Sequence, residues 1–135
     1  MTTEKFNINW DLFDLAVKDI LDEYRDQEIT QIVGLSRGGL PLAVTLSNKL
    51  SIPMIPIVWQ TRDGLVKDID TLKNLKNIET TLFVDDICDS GLTIKQIREV
   101  YPDSIWCALV SKKPGFIDYS PIEVSGDEWV IFPWE

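Results

Sequence analysis

Four short apolar runs, each ending in a polar or glycine-containing segment, constrain this chain more than any other feature: "EITQIVGLS" (28–36), "MIPIVWQ" (54–60), "TTLFV" (80–84) and "SIWCALV" (104–110). Their length and β-branched content fit buried strands better than helices. Between them lie segments with helical spacing. Trp10, Phe13, Val17, Ile20, Leu21 and Tyr24 form one apolar stripe, with Asn9 placed to cap it and Asp11 favourable in the first turn. "GGLPLAVTLSNKL" opens a second helix, with Pro41 tolerated in its first turn. "LTIKQIREVY" is a third, whose Ile94, Ile97 and Val100 or Tyr101 face the core. Strand and helix in alternation predict an α/β fold, a mostly parallel sheet flanked by helices.

The remaining segments are less regular. Pro53 and Pro56 make the second run irregular at its start or place it at a sheet edge. Residues 61–77 are polar, carry Lys67, Lys73 and Lys76, and read as a long loop with a short helical piece. The tail holds two short extended pieces, "PIEVS" and "EWVIFPWE". With 135 residues and neither repeats nor linker-like tracts, the expectation is a single domain over 1–135.

In open parallel sheets, ligands sit beyond the carboxyl ends of the strands. "GLSRGG", "WQTRDG", "VDDICDSG" and "VSKKPG" all fall at strand ends, so four polar segments share one rim. Composition limits what that rim does. A formal net charge of -9 argues against general nucleic-acid binding, which needs clustered cations, but leaves room for a phosphate site built from backbone amides. The chain has no histidine, which excludes Ser-His-Asp and Cys-His nucleophiles and imidazole-ligated zinc. Cys88 and Cys107 lack metal-type spacing, which suits a reduced compartment. No apolar run reaches membrane-spanning length and "MTTEKFNINW" lacks signal-peptide character, so the expectation is a cytoplasmic protein without membrane insertion.

The rim segment "LFVDDICDSGLT" is the most chemically specific. A strand ending at Asp85-Asp86, then a turn, then a helix starting near Leu92 would aim the amides of Ser90, Gly91, Leu92 and Thr93 at an anion. Ser90 and Thr93 add hydroxyls, and Gly91 permits a tight backbone. Adjacent carboxylates repel, so Asp85 and Asp86 suit a compensating Mg2+ or the hydroxyls of a sugar. The competing structural reading is a capped helix after an acidic turn.

These residues resemble the phosphoribosyl-pyrophosphate (PRPP) motif of type I phosphoribosyltransferases. "GLSRGGLPLA" is similar to the pyrophosphate loop and following helix of the bacterial xanthine-guanine enzymes. "SKKPG" resembles their Lys-Pro segment, and "EWVIFPWE" their tryptophan-containing C-terminus. The resemblance implies a Rossmann-like core with a small C-terminal base-binding segment. It implies that Asp85 and Asp86 address ribose hydroxyls and Mg2+, that Asp89 assists proton removal near purine N7, and that residues 90–93 hold the 5′-phosphate. Ser36, Arg37, Gly38 and Gly39 would meet pyrophosphate around a non-proline cis peptide after Ser36, with Arg37 also catalytic. Lys113 would donate to the exocyclic oxygen of the purine, with Lys112 its close competitor. Trp129 would stack on the base, while main-chain atoms of Val130 and Ile131 read its edge. The implied partners are PRPP and a 6-oxopurine, in a homodimer or homotetramer.

Alternatives stand beside these assignments. Arg37 as a solvated charge, Lys113 as cover for a strand end, and Trp129 or Trp134 as core or interface aromatics are the plainer readings. The family's Ser-Tyr pair in its mobile loop is absent, since this chain has "WQTRDG", with Arg62 and Lys67 the nearest cations. That departure motivates a second reading, a PRPP- or nucleotide-binding regulatory module with little catalysis. A receiver-like signalling domain is a third, but there the acidic pair follows the first strand rather than the third.

Overall fold

The computed structural model describes residues 4–60 and 67–135. Strand β1 (Lys5–Asn7) leads into helix α1 (Trp10–Glu23), whose first turn is closed by a 2.8 Å bond from Leu12 N–H to Asn9 Oδ1. β2 (Gln31–Ser36), α2 (Leu40–Leu50) and β3 (Met54–Val58) follow, then a short α3 (Ile69–Lys73). β4 (Thr81–Cys88), α4 (Leu92–Val100) and β5 (Ile105–Ser111) form the next unit, with β6 (Ile122–Glu123) and β7 (Trp129–Ile131) in the tail.

The main sheet has order β3-β2-β4-β5-β6, and every pairing in it is parallel. Alternating side chains divide the core into two layers. Leu82, Val84, Ile32, Cys107 and Leu109 pack beneath α1 and α2, against Phe13, Val17, Ile20, Leu42 and Leu46. Phe83, Val33, Leu35, Trp106 and Ala108 pack on the other side with Leu72, Ile94 and Ile97 from α3 and α4. Phe83 and Trp106, both fully buried, stack with centroids 5.0 Å apart. Burying a large apolar side chain stabilises the fold by about 1.5–3 kcal/mol, so these interior residues dominate its stability.

Three features differ from the expectation. β1 was not foreseen; it pairs in parallel with β7 as a separate two-stranded sheet, Phe6 opposite Val130. Three-residue strands are too short to show periodicity, and this pair joins opposite ends of the sequence. The "PIEVS" piece joins the main sheet as its fifth strand. β4 runs on past Asp85 and Asp86 to Cys88 instead of ending at them. The rest follows the sequence. β3 is an edge strand with Pro56 exposed, as its prolines predict, and α3 is the short helix expected within residues 61–77. Arg62 lies outside the described residues. No helix among the described residues is long and apolar enough to cross a membrane.

Candidate active site

The site begins where β2 and β4 part. Their ladder ends at Gly34 opposite Val84, whereas β4 continues with β5 through Cys88 opposite Ser111. Residues 85–88 therefore lack a neighbour on the β2 side, and local side chains answer the freed amides. Asp86 N–H donates to Asp85 Oδ1, and Ile87 N–H to Asp86 Oδ1, both at 2.8 Å. One oxygen of each carboxylate accepts a backbone hydrogen bond. Burial raises the Asp85 carboxyl well above the ordinary range, the adjacent charge and side chain of Asp86 push it further, and the bond from Asp86 N–H offsets part of the rise. That pair is short of positive charge.

The first turn of α2 crosses this gap. The Ser36–Arg37 peptide is cis, as the resemblance implies. A Cβ on Gly38 would overlap the Asp86 carboxylate, lying 2.7 Å from its Cγ. One on Gly39 would meet the carbonyls of Leu35 and Val84 at 2.8 Å. The two glycines thus let the loop after β2 close onto the acid pair. Arg37 is exposed at the rim and Ser36 half-buried at the end of the β2–β3 ladder.

On the far side of the acid pair lies the turn into α4. Gly91 has φ +81°, a left-handed conformation that suits glycine. The first helical bond runs from Lys95 N–H to Gly91 O at 3.0 Å, so the amides before it have no intrahelical acceptor. Ser90 Oγ accepts only a long 3.3 Å bond from Leu92 N–H. A cavity of about 130 Å³ opens there, lined by Asp85, Asp89, Ser90, Gly91, Leu92 and Thr93, with Cys88, Ile117 and others as its walls. Burial pushes the Cys88 thiol up, so it stays protonated beneath the turn.

A second cavity, of about 570 Å³, adjoins the first at Ile87 and Asp89, which line both. Arg37, Gly38, Asp86 and Lys112 form its polar wall, and Trp129, Val130, Phe132 and Trp134 its apolar wall. Trp129 is 60% exposed, held on β7 by the pairing with β1, while Val130 is buried. The Lys112 side chain is only 10% exposed, with Nζ 3.8 Å from Asp89 Oδ1.

Two purine-side residues are placed differently from the expectation. Lys113 is exposed and does not line the cavity; Lys112 does. β5 extends to Ser111, and Lys112 N–H is then held by Cys88 O at 2.9 Å, which sets Lys112 inward and leaves Lys113 on the outer turn. Ile131 is likewise absent from the lining, and its carbonyl accepts from Ile8 N–H at 2.8 Å, so β1 already uses it. Only Val130 of that pair borders the cavity.

The sequence reading missed Ile87, Phe132, Glu135 and the cavity-facing role of Trp134. Trp134 stacks on Phe132 at 4.9 Å and meets Phe13 edge-on at 5.9 Å, so it is a core aromatic and a cavity wall together. Its aromatic neighbours in the sequence were the available signal. Among the described residues no group of three or more carboxylates or thiols converges as a metal cage. Mg2+ does not require one, because it is commonly held by one or two carboxylates together with substrate oxygens and water. The adjacent carboxylates of Asp85 and Asp86 fit that donor set.

A parallel sheet with an amide-lined turn and an acid pair at its strand ends defines the class of α/β proteins that hold phosphorylated ligands there. The family model described as the phosphoribosyl transferase domain matches residues 9–135. The xanthine-guanine phosphoribosyltransferase of Chromohalobacter salexigens is 27% identical over 138 residues, covering 98% of this chain and 85% of that protein. That of Nitratidesulfovibrio vulgaris (strain Hildenborough) is 30% identical over 112 residues, 77% of this chain and 68% of that protein. The crystal structure of purine phosphoribosyltransferase from Pyrococcus horikoshii Ot3 matches with a TM-score of 0.74 and 26% identity, over 98% of this chain and 94% of that one. The chain belongs to the phosphoribosyltransferase family of enzymes.

Proposed function

We infer that this protein transfers the 5-phosphoribosyl group from PRPP to a 6-oxopurine and releases pyrophosphate. The observation that carries the reading is the pair of adjoining cavities, one floored by the amide turn at residues 90–93 and the other walled by Arg37, Lys112 and Trp129, with Asp89 shared between them. PRPP has a phosphate at one end and pyrophosphate at the other, so it needs two such compartments meeting at the ribose.

In this reading the turn at residues 90–93 holds the 5′-phosphate, and Asp85 and Asp86 face the ribose hydroxyls. The same two carboxylates would hold Mg2+, which supplies Lewis-acid neutralisation of the leaving pyrophosphate. Arg37, with Gly38 beside it, stabilises the charge gathering on pyrophosphate as the C1′–O bond breaks. The unprotonated imidazole nitrogen of the purine forms the new bond to C1′, pyrophosphate departs with its electron pair, and the proton on N7 passes to the Asp89 carboxylate. No histidine is required, because the purine itself is the nucleophile. Trp129 stacks on the base and Val130 borders its edge. Lys112 takes the oxygen-recognising role in place of Lys113: an ammonium only donates hydrogen bonds, so it prefers a 6-oxo group to the amino group of adenine. A homodimer or homotetramer in a cytoplasmic setting completes the reading; light scattering in solution measures the assembly.

A coupled pyrophosphate-release assay across guanine, xanthine, hypoxanthine, adenine and the pyrimidines tests it. Release with 6-oxopurines that depends on Mg2+ and falls on Asp89→Ala supports the transferase. PRPP binding without release for any base identifies a binding module instead.

A further inference from the structure

Arg98 and Phe116 lie outside the residues assigned above, yet they join the two halves of the site. Arg98 is on α4, six positions beyond Leu92, so about 9 Å along the helix from the phosphate turn. Its Nη1 donates to Phe116 O at 3.0 Å, and its Nη2 to Ser104 O at 3.1 Å and Asp118 Oδ2 at 2.9 Å. Asp118 Oδ2 also accepts from Trp106 N–H at 2.7 Å, which ties the far end of the turn to β5. The Phe116 ring lies over Gly91: a Cβ there would be 2.9 Å from two of its ring atoms.

The turn between these anchors is otherwise held by its own backbone, Lys113 N–H to Ser111 Oγ at 3.1 Å and Phe116 N–H to Lys113 O at 3.0 Å, and not by burial. Lys113, Pro114, Gly115 and Phe116 are all exposed, and a Cβ on Gly115 would have no neighbour within 4 Å. Phe116 is 42% exposed, so burial alone does not explain where its ring sits. One helix therefore begins as the phosphate turn and, two turns later, grips the segment that carries Lys112.

We propose that Arg98 and Phe116 are positioning residues that couple occupancy of the phosphate turn to the placement of Lys112 against the base. The inference rests on the transferase reading for its substrates, and it deepens that reading by naming what connects the two compartments. Ordering of residues 90–93 by a phosphate stiffens the backbone under the Phe116 ring. The ring and the guanidinium pass that order to residues 112–118, so the base meets a preset wall when PRPP is already bound.

Amide hydrogen exchange on the full chain, with and without PRPP and Mg2+, tests this without needing turnover. In the wild type, ligand slows exchange in residues 89–95 and also in 112–118. In Phe116→Ala and Arg98→Met the first segment stays slowed and the second loses most of its response. Where the base assay runs, the same variants raise the KM for base about tenfold while the Kd for PRPP moves less than about twofold. Arg98→Lys, which keeps the charge near Asp118, recovers part of that loss. Slowing confined to 89–95 in the wild type overturns the proposal, as does an equal rise in PRPP Kd and base KM, which marks general loosening. No slowing at 89–95 removes the phosphate site and this coupling with it. Slowing in both segments with no transfer to any base removes the transferase reading and leaves the coupling standing.

Discussion

The proposed phosphate turn and the proposed base wall line adjoining cavities but are built in opposite ways. Residues 85–93 form one uninterrupted stretch on a buried strand and the helix after it, and in the proposed role backbone amides supply most of the donors. The base wall is assembled from the turn after β5, from β7, and from aromatics that pack on α1, all brought together by tertiary contact. A site made of backbone is sensitive to the shape of the chain. A site made of projecting side chains is sensitive to which atoms are present and tolerates their loss structurally.

That contrast predicts where function and stability separate. The largest effect is expected from Gly91→Ala, which places a Cβ at φ +81° and against the Phe116 ring. The left-handed conformation costs a non-glycine residue roughly 1–2 kcal/mol, and the crowding adds to it. We expect affinity for PRPP with Mg2+ to fall at least about 100-fold by calorimetry, since a shift of 1 Å in such a turn misaligns every donor. Retained affinity would break the contrast, because it would mean the turn's shape is not what binds.

Trp129→Ala is expected next, and on the other side of the contrast. With Trp129 60% exposed, thermal stability should change by less than about 0.5 kcal/mol. The KM for base should rise about five- to tenfold, because an aromatic pair contributes about 0.5–1.5 kcal/mol beyond its burial. A large loss of stability would place Trp129 in the fold rather than the wall. Lys112→Met compared with Lys113→Met sharpens the point: the first should raise the 6-oxopurine KM several-fold and the second leave it nearly unchanged. The reverse result would return the role to Lys113.

The smallest effect concerns stability and pH. Asp85 has a carboxyl raised by burial and by Asp86, so the neutral form is the one the fold prefers. Its contribution is fully present below the ordinary aspartate pKa of about 4 and is lost as pH rises through the elevated folded value. Asp85→Asn, which is always neutral, should therefore melt higher than the wild type at neutral pH without ligand. The gap should close as pH falls below about 4, where both side chains are uncharged. Thermal scans across pH measure it. A variant that melts lower at neutral pH would show that Asp85 is stabilised by its surroundings rather than strained by them.

The same contrast explains what the sequence made legible. The acid pair, Gly91 and the residues of the turn are consecutive, so their spacing alone carried the strand, the bend and the helix start. The four main strands were likewise local apolar runs. The sheet formed by β1 and β7 was not legible, because it pairs Lys5 with Trp129 through elements three residues long. The choice between Lys112 and Lys113 was not legible either. It is decided by how far β5 runs, to Ser111, and by the hydrogen bond from Lys112 N–H to Cys88 O at 2.9 Å, a contact with another strand. Nothing in the sequence singles out Arg98, which gains its place only where the fold brings Phe116 and Asp118 beside it.

Calorimetric titration of the wild-type chain with PRPP in Mg2+, repeated on Gly91→Ala, addresses the central claim most directly. The account predicts saturable binding with one PRPP per chain in the wild type, dependent on Mg2+, and none detectable over the same range in the variant. Absence of heat in the wild type, or equal binding by both proteins, would contradict it.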